Sequence, residues 1–359
     1  MNILYICGYA ANYKGNFIES LTHLDIGLHG KQQACYIFPP EAKEKAWIKE
    51  LEKAGAKVFY NTGSVLGELK LQKQIVDQYS IDIIYHHFWN LKDCLVNRLL
   101  KMVKPNVKMV IHYHNEYHVS SSKMNEKIKH WILDADMNIG CGEYVAKEVD
   151  AAGYRNVKWI DNCIDFSRLD NWEKYEKPEG LNLLTFSSYG YEIKGVDVSI
   201  KAVYKAREEG IPANLLIAVA ADWDGIKNRV QQECNGHIPE WIQLLPSRPD
   251  VATYYHAANA YLNSSRSEGL CYSGIEAIYC GAQVIQTNIP GNPTFIPHTY
   301  QFETNSVEQL VKTIEVLYNA VKNGDADIRA EQKQYVVENY GLDTWVKKEI
   351  AALCELMRL

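Results

Sequence analysis

Short apolar runs alternate with longer amphipathic stretches along the chain. The runs 2–7, 34–38, 57–60, 81–86, 108–112, 137–140 and 157–160 are four to six residues long and rich in Ile, Val, Tyr and Met. Runs that short read as buried strands. Between them, 16–28, 41–55, 91–103, 124–135 and 143–153 read as helices, two of which stop at a glycine, Gly55 and Gly153. The pattern restarts at 181–187 and runs through a helix (196–210), a strand (214–219), a helix (224–234) and a strand (242–244). A strand at 260–263, a helix carrying Glu276 and a strand at 283–286 follow, then tail helices over 307–323, 327–339 and 343–358. Strands alternating with helices predict an α/β fold with doubly wound, mostly parallel sheets.

The alternation breaks once. Asp161-Asn162-Cys163-Ile164-Asp165 ends the first half, and a charged, Pro-containing stretch over 171–180 precedes the second. A chain of 359 residues is long enough for two domains. We expect a first domain over 1–165, a second over 166–340 and a terminal helix over 341–359.

Composition narrows the class. With 47% hydrophobic and 23% charged residues the chain is globular, and no apolar run approaches a membrane span. The start, Met1–Ile6, is followed at once by polar and Gly residues and does not read as a signal peptide. Nine cysteines without a CxxC pair fit free thiols in a reducing cytoplasm rather than a disulfide or zinc framework. A net charge of −6 argues against a nucleic-acid partner. Within 92–131, however, Lys92, Arg98, Lys101, Lys104, Lys108, Lys123, Lys127 and Lys129 outnumber Asp93, Glu116 and Glu126. With Trp131, this face suits anionic lipid headgroups, so peripheral contact with the inner face of a membrane is one reading. A solvated helix face is the default.

The chemistry concentrates in 261–295. A strand ends in the polar loop Ser264–Ser267, Glu268-Gly269 lead into a helix that ends at Gly281, and a Pro290–Pro293 turn closes the unit. The first-turn amides expected there, those of Gly269, Leu270 and Cys271, lack helical partners, and with the helix dipole they suit a phosphate. Glu268 and Glu276 would repel a phosphate directly, so they should face hydroxyl-rich ends of the ligand. A diphosphate between two sugars, a nucleotide-sugar, fits both demands.

Glu268, seven residues, Glu276-Ala277, then Gly281 and Val284-Ile285 resembles the signature of family 4 retaining glycosyltransferases of the GT-B fold. Ser265-Arg266-Ser267-Glu268-Gly269 and Gly291 belong to the same resemblance. It implies two doubly wound Rossmann-like domains facing each other across a cleft, with the last helix packing back on the first domain. Asp161–Asp165 resembles the family's interdomain turn, with Cys163 in a glycine place. The implied donor is a UDP-, GDP- or dTDP-sugar, taken as a substrate, with no metal and no cofactor.

Further positions follow from the resemblance. Glu276 would hold ribose hydroxyls, Glu268 hydroxyls of the donor sugar, and Lys194 with the amides of Gly269–Cys271 the diphosphate. In the loop after the first strand, Gly15 is kept and Asn16 stands in the place of a second glycine; Tyr9 and Asn12 of that loop would lie on the acceptor side. A plain strand–helix turn is the alternative there. His114-Asn115 matches a histidine that binds the transferred sugar, with His87 and His112 lining the acceptor side or simply packed. Three histidines near one rim also raise a metal site, at no diagnostic spacing. In Ser187–Gly195 the family's diphosphate clamp keeps Lys194-Gly195 but has Tyr189 in the arginine place, next to Ser188. A tyrosine donates one hydrogen bond and carries no charge, so Arg248 or Arg266 is expected to help. Ala218–Ala221 and Asn292-Pro293-Thr294 also depart from the family pattern.

Two functions therefore stand. The first is a metal-independent retaining glycosyltransferase acting on a glycan, glycolipid or other hydroxyl acceptor. The second is a non-catalytic GT-B-like partner subunit, for which Tyr189 speaks and against which His114, Lys194, Glu268 and Glu276 together speak.

Overall fold

The computed structural model describes residues 1–87, 91–117, 125–187, 190–292, 299–324 and 329–358. The chain divides into two compact units, Met1–Ile164 with Leu342–Leu359, and Asp165–Gly341.

The first unit is built on β1 (Ile3–Cys7), β2 (Cys35–Phe38), β3 (Lys57–Tyr60), β4 (Ile83–His87), β5 (Lys108–Tyr113), β6 (Met137–Gly140) and β7 (Val157–Trp159). These form one parallel sheet in the order β3-β2-β1-β4-β5-β6-β7. A parallel sheet with helices on both faces buries both sides of its strands, which is why β1 reads ILYIC without alternation. The order reverses between β1 and β4. Pairing of β4 with β5 sets His87 beside His112.

The helices of this unit are α1 (Gly15–His29), α2 (Ala46–Ala54), α3 (Val65–Tyr79), α4 (Leu91–Val103), α5 (Glu126–Leu133) and α6 (Glu143–Ala151). The expected helix over 41–55 is interrupted: Pro40–Ala42 make a 3-10 turn and Lys45 is extended (φ −79°, ψ 137°), so α2 starts only at Ala46. The hydrophobic pattern gave no helix at α3. Its buried face includes Glu68 and Gln72 beside Ile75 and Val76, so polar residues interrupt the apolar stripe.

A last helix, α13 (Leu342–Leu356), joins this unit and packs on α1. Gly27 permits the approach, because a Cβ there would lie 3.0 Å from Val346 and 3.1 Å from Ile350. Trp345, Leu353 and Leu356 enter the core with Tyr5, Tyr36 and Tyr85. Each such buried side chain stabilises by about 1.5–3 kcal/mol.

The second unit is built on β8 (Leu181–Ser187), β9 (Ala213–Val219), β10 (Ile242–Pro246), β11 (Ala260–Asn263), β12 (Gln283–Thr287) and β13 (Tyr300–Phe302). They pair in parallel in the order β10-β9-β8-β11-β12-β13, which reverses between β8 and β11. Its helices are α7 (Val196–Glu208), α8 (Trp223–Glu233), α9 (Ala252–Ala257), α10 (Tyr272–Tyr279), α11 (Val307–Asn323) and α12 (Arg329–Tyr340). The short β13 was not foreseen; it extends the sheet at β12 through Ile285 and Tyr300. All nine cysteines are free thiols, and all but Cys354 are buried. No helix among the described residues is long and apolar enough to cross a membrane.

Candidate functional site

Ligands of open α/β sheets gather beyond the carboxyl ends of the strands that flank the reversal in strand order. In the second unit those strands are β8 and β11. The segments that follow them are the two that carry Lys194 and Glu268. Ser188 and Tyr189, like Pro293 and Thr294, lie outside the described residues.

The two loops touch. Gly195 has φ +61°, and a Cβ there would run into the carbonyl oxygen of Ser264. This close approach brings Lys194 Nζ to 2.6 Å from Glu268 Oε1, which also accepts from Ser265 Oγ at 2.7 Å. Asn263, at the end of β11, pins the loop: its Oδ1 accepts the Ser265 amide at 3.1 Å and its Nδ2 donates to Asn292 Oδ1 at 2.7 Å. On the other side a Cβ at Gly291 would run into the Glu268 backbone carbonyl. Glu268 and Lys194 are therefore held as a unit, their side chains 10% and 16% exposed.

The local backbone corrects one expectation. The helix does not open at Gly269 but at Tyr272, with Cys271 as a non-helical cap (φ −76°, ψ 85°). The Cys271 amide donates to Gly291 O at 3.2 Å and so is not available to a phosphate. The turn after β12 supplies that carbonyl, a contact that no local pattern around Cys271 encodes. Burial pushes the Cys271 thiol up to about 12, the nearby Glu268 charge adding to it, so it is a neutral thiol rather than a nucleophile.

Glu276, buried on α10, is engaged on both oxygens. Tyr255 of α9 donates its hydroxyl to Oε2 at 2.9 Å, and Arg168 Nη2 donates to Oε1. Neither partner was singled out from the sequence. Arg168 stands 108 residues away and no spacing rule connects the two. Arg248 and Arg266, expected to help Lys194, are occupied elsewhere. Arg248 pairs with Asp250 and with Glu173, the latter at 3.1 Å. Arg266 forks onto Asp197 at 3.0 and 2.9 Å, with Nε on Asn305 at 2.6 Å.

The first unit gathers its candidates beyond β1, β4 and β5. Gly15 opens α1 with φ +60°, and a Cβ there would sit 2.9 Å from the Tyr9 hydroxyl, which itself donates to Tyr13 O at 2.9 Å. Asn16 follows in the first turn. Asn12 Oδ1 accepts from Lys45 Nζ at 2.8 Å. Asn115 is exposed and His114 half-buried at the end of β5. His87 and His112 are sealed in the interior, so neither lines a surface.

The three rings form one cluster. His87 Nδ1 lies 3.0 Å from His114 Nε2, and His112 stacks on His114 with centroids 4.3 Å apart and planes at 15°. Beneath them the Tyr85 hydroxyl donates to Glu349 Oε2 at 2.9 Å and lies 3.1 Å from His112 Nδ1. Burial lowers the pKa of all three; His114, although hydrogen-bonded by Asn162, falls to about 3. Burial raises Glu349 to about 8. The imidazoles are thus neutral at pH 7 and suited to hydroxyl groups rather than phosphates. One nitrogen from each ring lies within 4.8 Å of the others, the only such set of three metal-capable side chains found among the described residues. The near-parallel planes of His112 and His114 send their in-plane lone pairs side by side rather than to one point, so the rings as placed do not form a coordination sphere.

Two parallel-sheet units with donors at these strand ends define a GT-B architecture. Among solved structures, a glycosyltransferase from Rickettsia africae is 18% identical, with a TM-score of 0.81 over 99% of this chain and 98% of that one. Anabaena HepE in complex with UDP is 17% identical, with a TM-score of 0.76 over 99% and 100%. Sucrose-phosphate synthase from Thermosynechococcus elongatus is 14% identical, with a TM-score of 0.75 over the whole of both chains. No curated protein sequence matches the chain. Residues 167–334, within the second unit, match the family of glycosyl transferases group 1, and the chain is a glycosyltransferase of the GT-B fold.

Proposed function

We propose that the protein is a retaining transferase of the family 4 type, moving a sugar from a uridine diphosphate sugar to a hydroxyl of a glycan or glycolipid without a metal. The observation that carries this reading is the second unit's carboxylate pair, Glu268 on Lys194 and Glu276 on Arg168, at the strand ends flanking the sheet reversal. The choice of uridine is supported by the HepE structures, which contain UDP and UDP-glucose.

In this reading Glu276 accepts the ribose hydroxyls and Glu268 hydroxyls of the donor sugar. Lys194 turns to the diphosphate together with the amides of Gly269 and Leu270 and that of Ser273 in the first turn of α10. Gly15 and Asn16 hold the loop after β1 for backbone approach, with Tyr9 and Asn12 on the acceptor side. His114, a neutral imidazole, hydrogen-bonds a sugar hydroxyl near the reacting carbon, and His87 and His112 act only by holding His114. The bond between the anomeric carbon and the diphosphate oxygen breaks, and its electron pair leaves with UDP. The acceptor hydroxyl attacks from the same face and gives its proton to the departing phosphate. Lys194 stabilises the charge that builds there, which is what makes a metal dispensable.

Thermal-shift titration with UDP, GDP, dTDP and their glucose conjugates, with and without EDTA, tests this reading. A shift with uridine nucleotides that persists in EDTA and vanishes in Glu276→Ala is expected. No shift with any nucleotide would favour the partner-subunit reading, for which Tyr189 in the arginine place is the motivating feature.

The basic stretch gives less support to a membrane surface than its sequence does. Lys101 is spent on Asp136 at 2.8 Å, Lys104 on Asp77, and Lys129 is buried on Glu126 at 2.7 Å. Lys92 and Lys123 lie outside the side chains described. Exposed Met102, Val103, Ile128 and Trp131 on α4 and α5 keep peripheral contact as a second-rank proposal, tested by sedimentation with anionic vesicles.

A further inference from the structure

A donor on Glu276 comes from the turn at which the second unit begins. Arg168 lies on the short 3-10 turn Phe166–Leu169. That turn is fixed to α10 on either side of the arginine. The Phe166 ring stacks on Tyr279 at 4.5 Å and 21°, and the Tyr279 hydroxyl donates to Asp170 Oδ1 at 2.7 Å. Between these anchors Arg168 Nη2 meets Glu276 Oε1, while Tyr255 holds Oε2. The Glu276 side chain is 8% exposed and Arg168 27%, so the pair sits at the edge of solvent with the carboxylate inside.

A carboxylate offers about four acceptor positions, two on each oxygen. Protein donors on both oxygens fix its plane. Two hydroxyls on adjacent ring carbons match a carboxylate held in that way. The guanidinium also supplies a positive charge beside a carboxylate that would otherwise repel a neighbouring diphosphate.

We propose that Arg168 is a positioning residue for recognition of the vicinal diol of a ribose: it orients and neutralises Glu276 and does not itself bind the phosphates. The proposal rests on the reading of Glu276 given above.

The test is calorimetric binding of UDP and of 2′,3′-dideoxy-UDP to the full chain as wild type, Glu276→Ala and Arg168→Ala. The wild type is expected to prefer UDP by about tenfold, the equivalent of hydrogen bonds to a charged group. Glu276→Ala should erase the preference. Arg168→Ala should weaken UDP by about tenfold and dideoxy-UDP by less than about twofold, because only the diol-dependent part passes through Glu276. The ratio of the two affinities is internal to each variant, so a loss of folded protein cancels. An equal loss for both nucleotides would place Arg168 on the phosphates or in the fold alone and overturn the proposal, as would an Arg168→Ala chain that keeps the wild-type ratio. Equal wild-type affinities, or no binding of UDP, would overturn the reading of Glu276 and the proposal with it.

Discussion

Lys194 Nζ lies 2.6 Å from Glu268 Oε1, across 74 residues of sequence, because Gly195 lets one loop press against the carbonyl of Ser264. The cation assigned to the diphosphate thus shares a site with the carboxylate assigned to the sugar. Lys194→Gln keeps a hydrogen-bond donor there and removes the charge. It should lower kcat for consumption of a UDP-sugar by about 10²–10³, the usual cost of one transition-state donor, with a smaller effect on UDP affinity. A kcat within about threefold of wild type would remove Lys194 from leaving-group stabilisation.

Glycines set the loop that carries Glu268. A Cβ at Gly291 would collide with the Glu268 carbonyl, and the Gly291 carbonyl accepts the amide of Cys271, the cap of α10. Gly291→Ala should therefore lower stability by about 1–3 kcal/mol, as overpacking does. It should also weaken UDP-sugar binding well beyond what the lost folded fraction explains. Urea unfolding and thermal shift measured on the same variant separate the two.

Acid should unfold the first unit through its buried histidines. Burial lowers the pKa of His86 to about 4 and of His114 to about 3, and lowers His87 and His112 too. In the unfolded chain these groups titrate near 6.5, so below that pH the unfolded state binds more protons. The stability gained by keeping them neutral is complete above pH 6.5 and is lost as pH falls. Each histidine contributes a slope of at most about 1.4 kcal/mol per pH unit. Unfolding free energies measured from pH 7 to 5 should fall steeply; a flat profile would mean that the cluster is hydrated.

Glu349 should act in the opposite sense. Burial raises it from 4.5 to about 8, so between those values the native state holds a proton that the unfolded state has lost. Its contribution falls as pH rises through that window. The four histidines outweigh it below pH 6.5, which leaves a stability maximum near 6.5 and a decline toward 8. Glu349→Gln, which mimics the protonated acid, should abolish the decline above 6.5 while keeping the acid limb. Parallel declines in the two proteins would show that Glu349 is ionised at neutral pH.

The alternation of apolar runs with amphipathic stretches was enough to predict two parallel α/β halves, since strand burial on both faces and helix periodicity are local properties written residue by residue. The Glu268–Glu276 spacing and Lys194-Gly195 were legible for the same reason: each lies within one strand–loop–helix segment. α3 was missed because Glu68 and Gln72 occupy buried positions of its face, and β13 because three residues carry too little pattern. The true start of α10 at Tyr272 depends on a carbonyl from Gly291, twenty residues downstream. What only the tertiary structure decided is which charges meet. Arg168 reaches Glu276, Arg266 is diverted to Asp197, and Glu349 slides under His112 through Tyr85. Those pairings depend on chain crossings that bring distant segments within a few ångströms, and no residue carries a local mark of a partner 69 or 108 positions away.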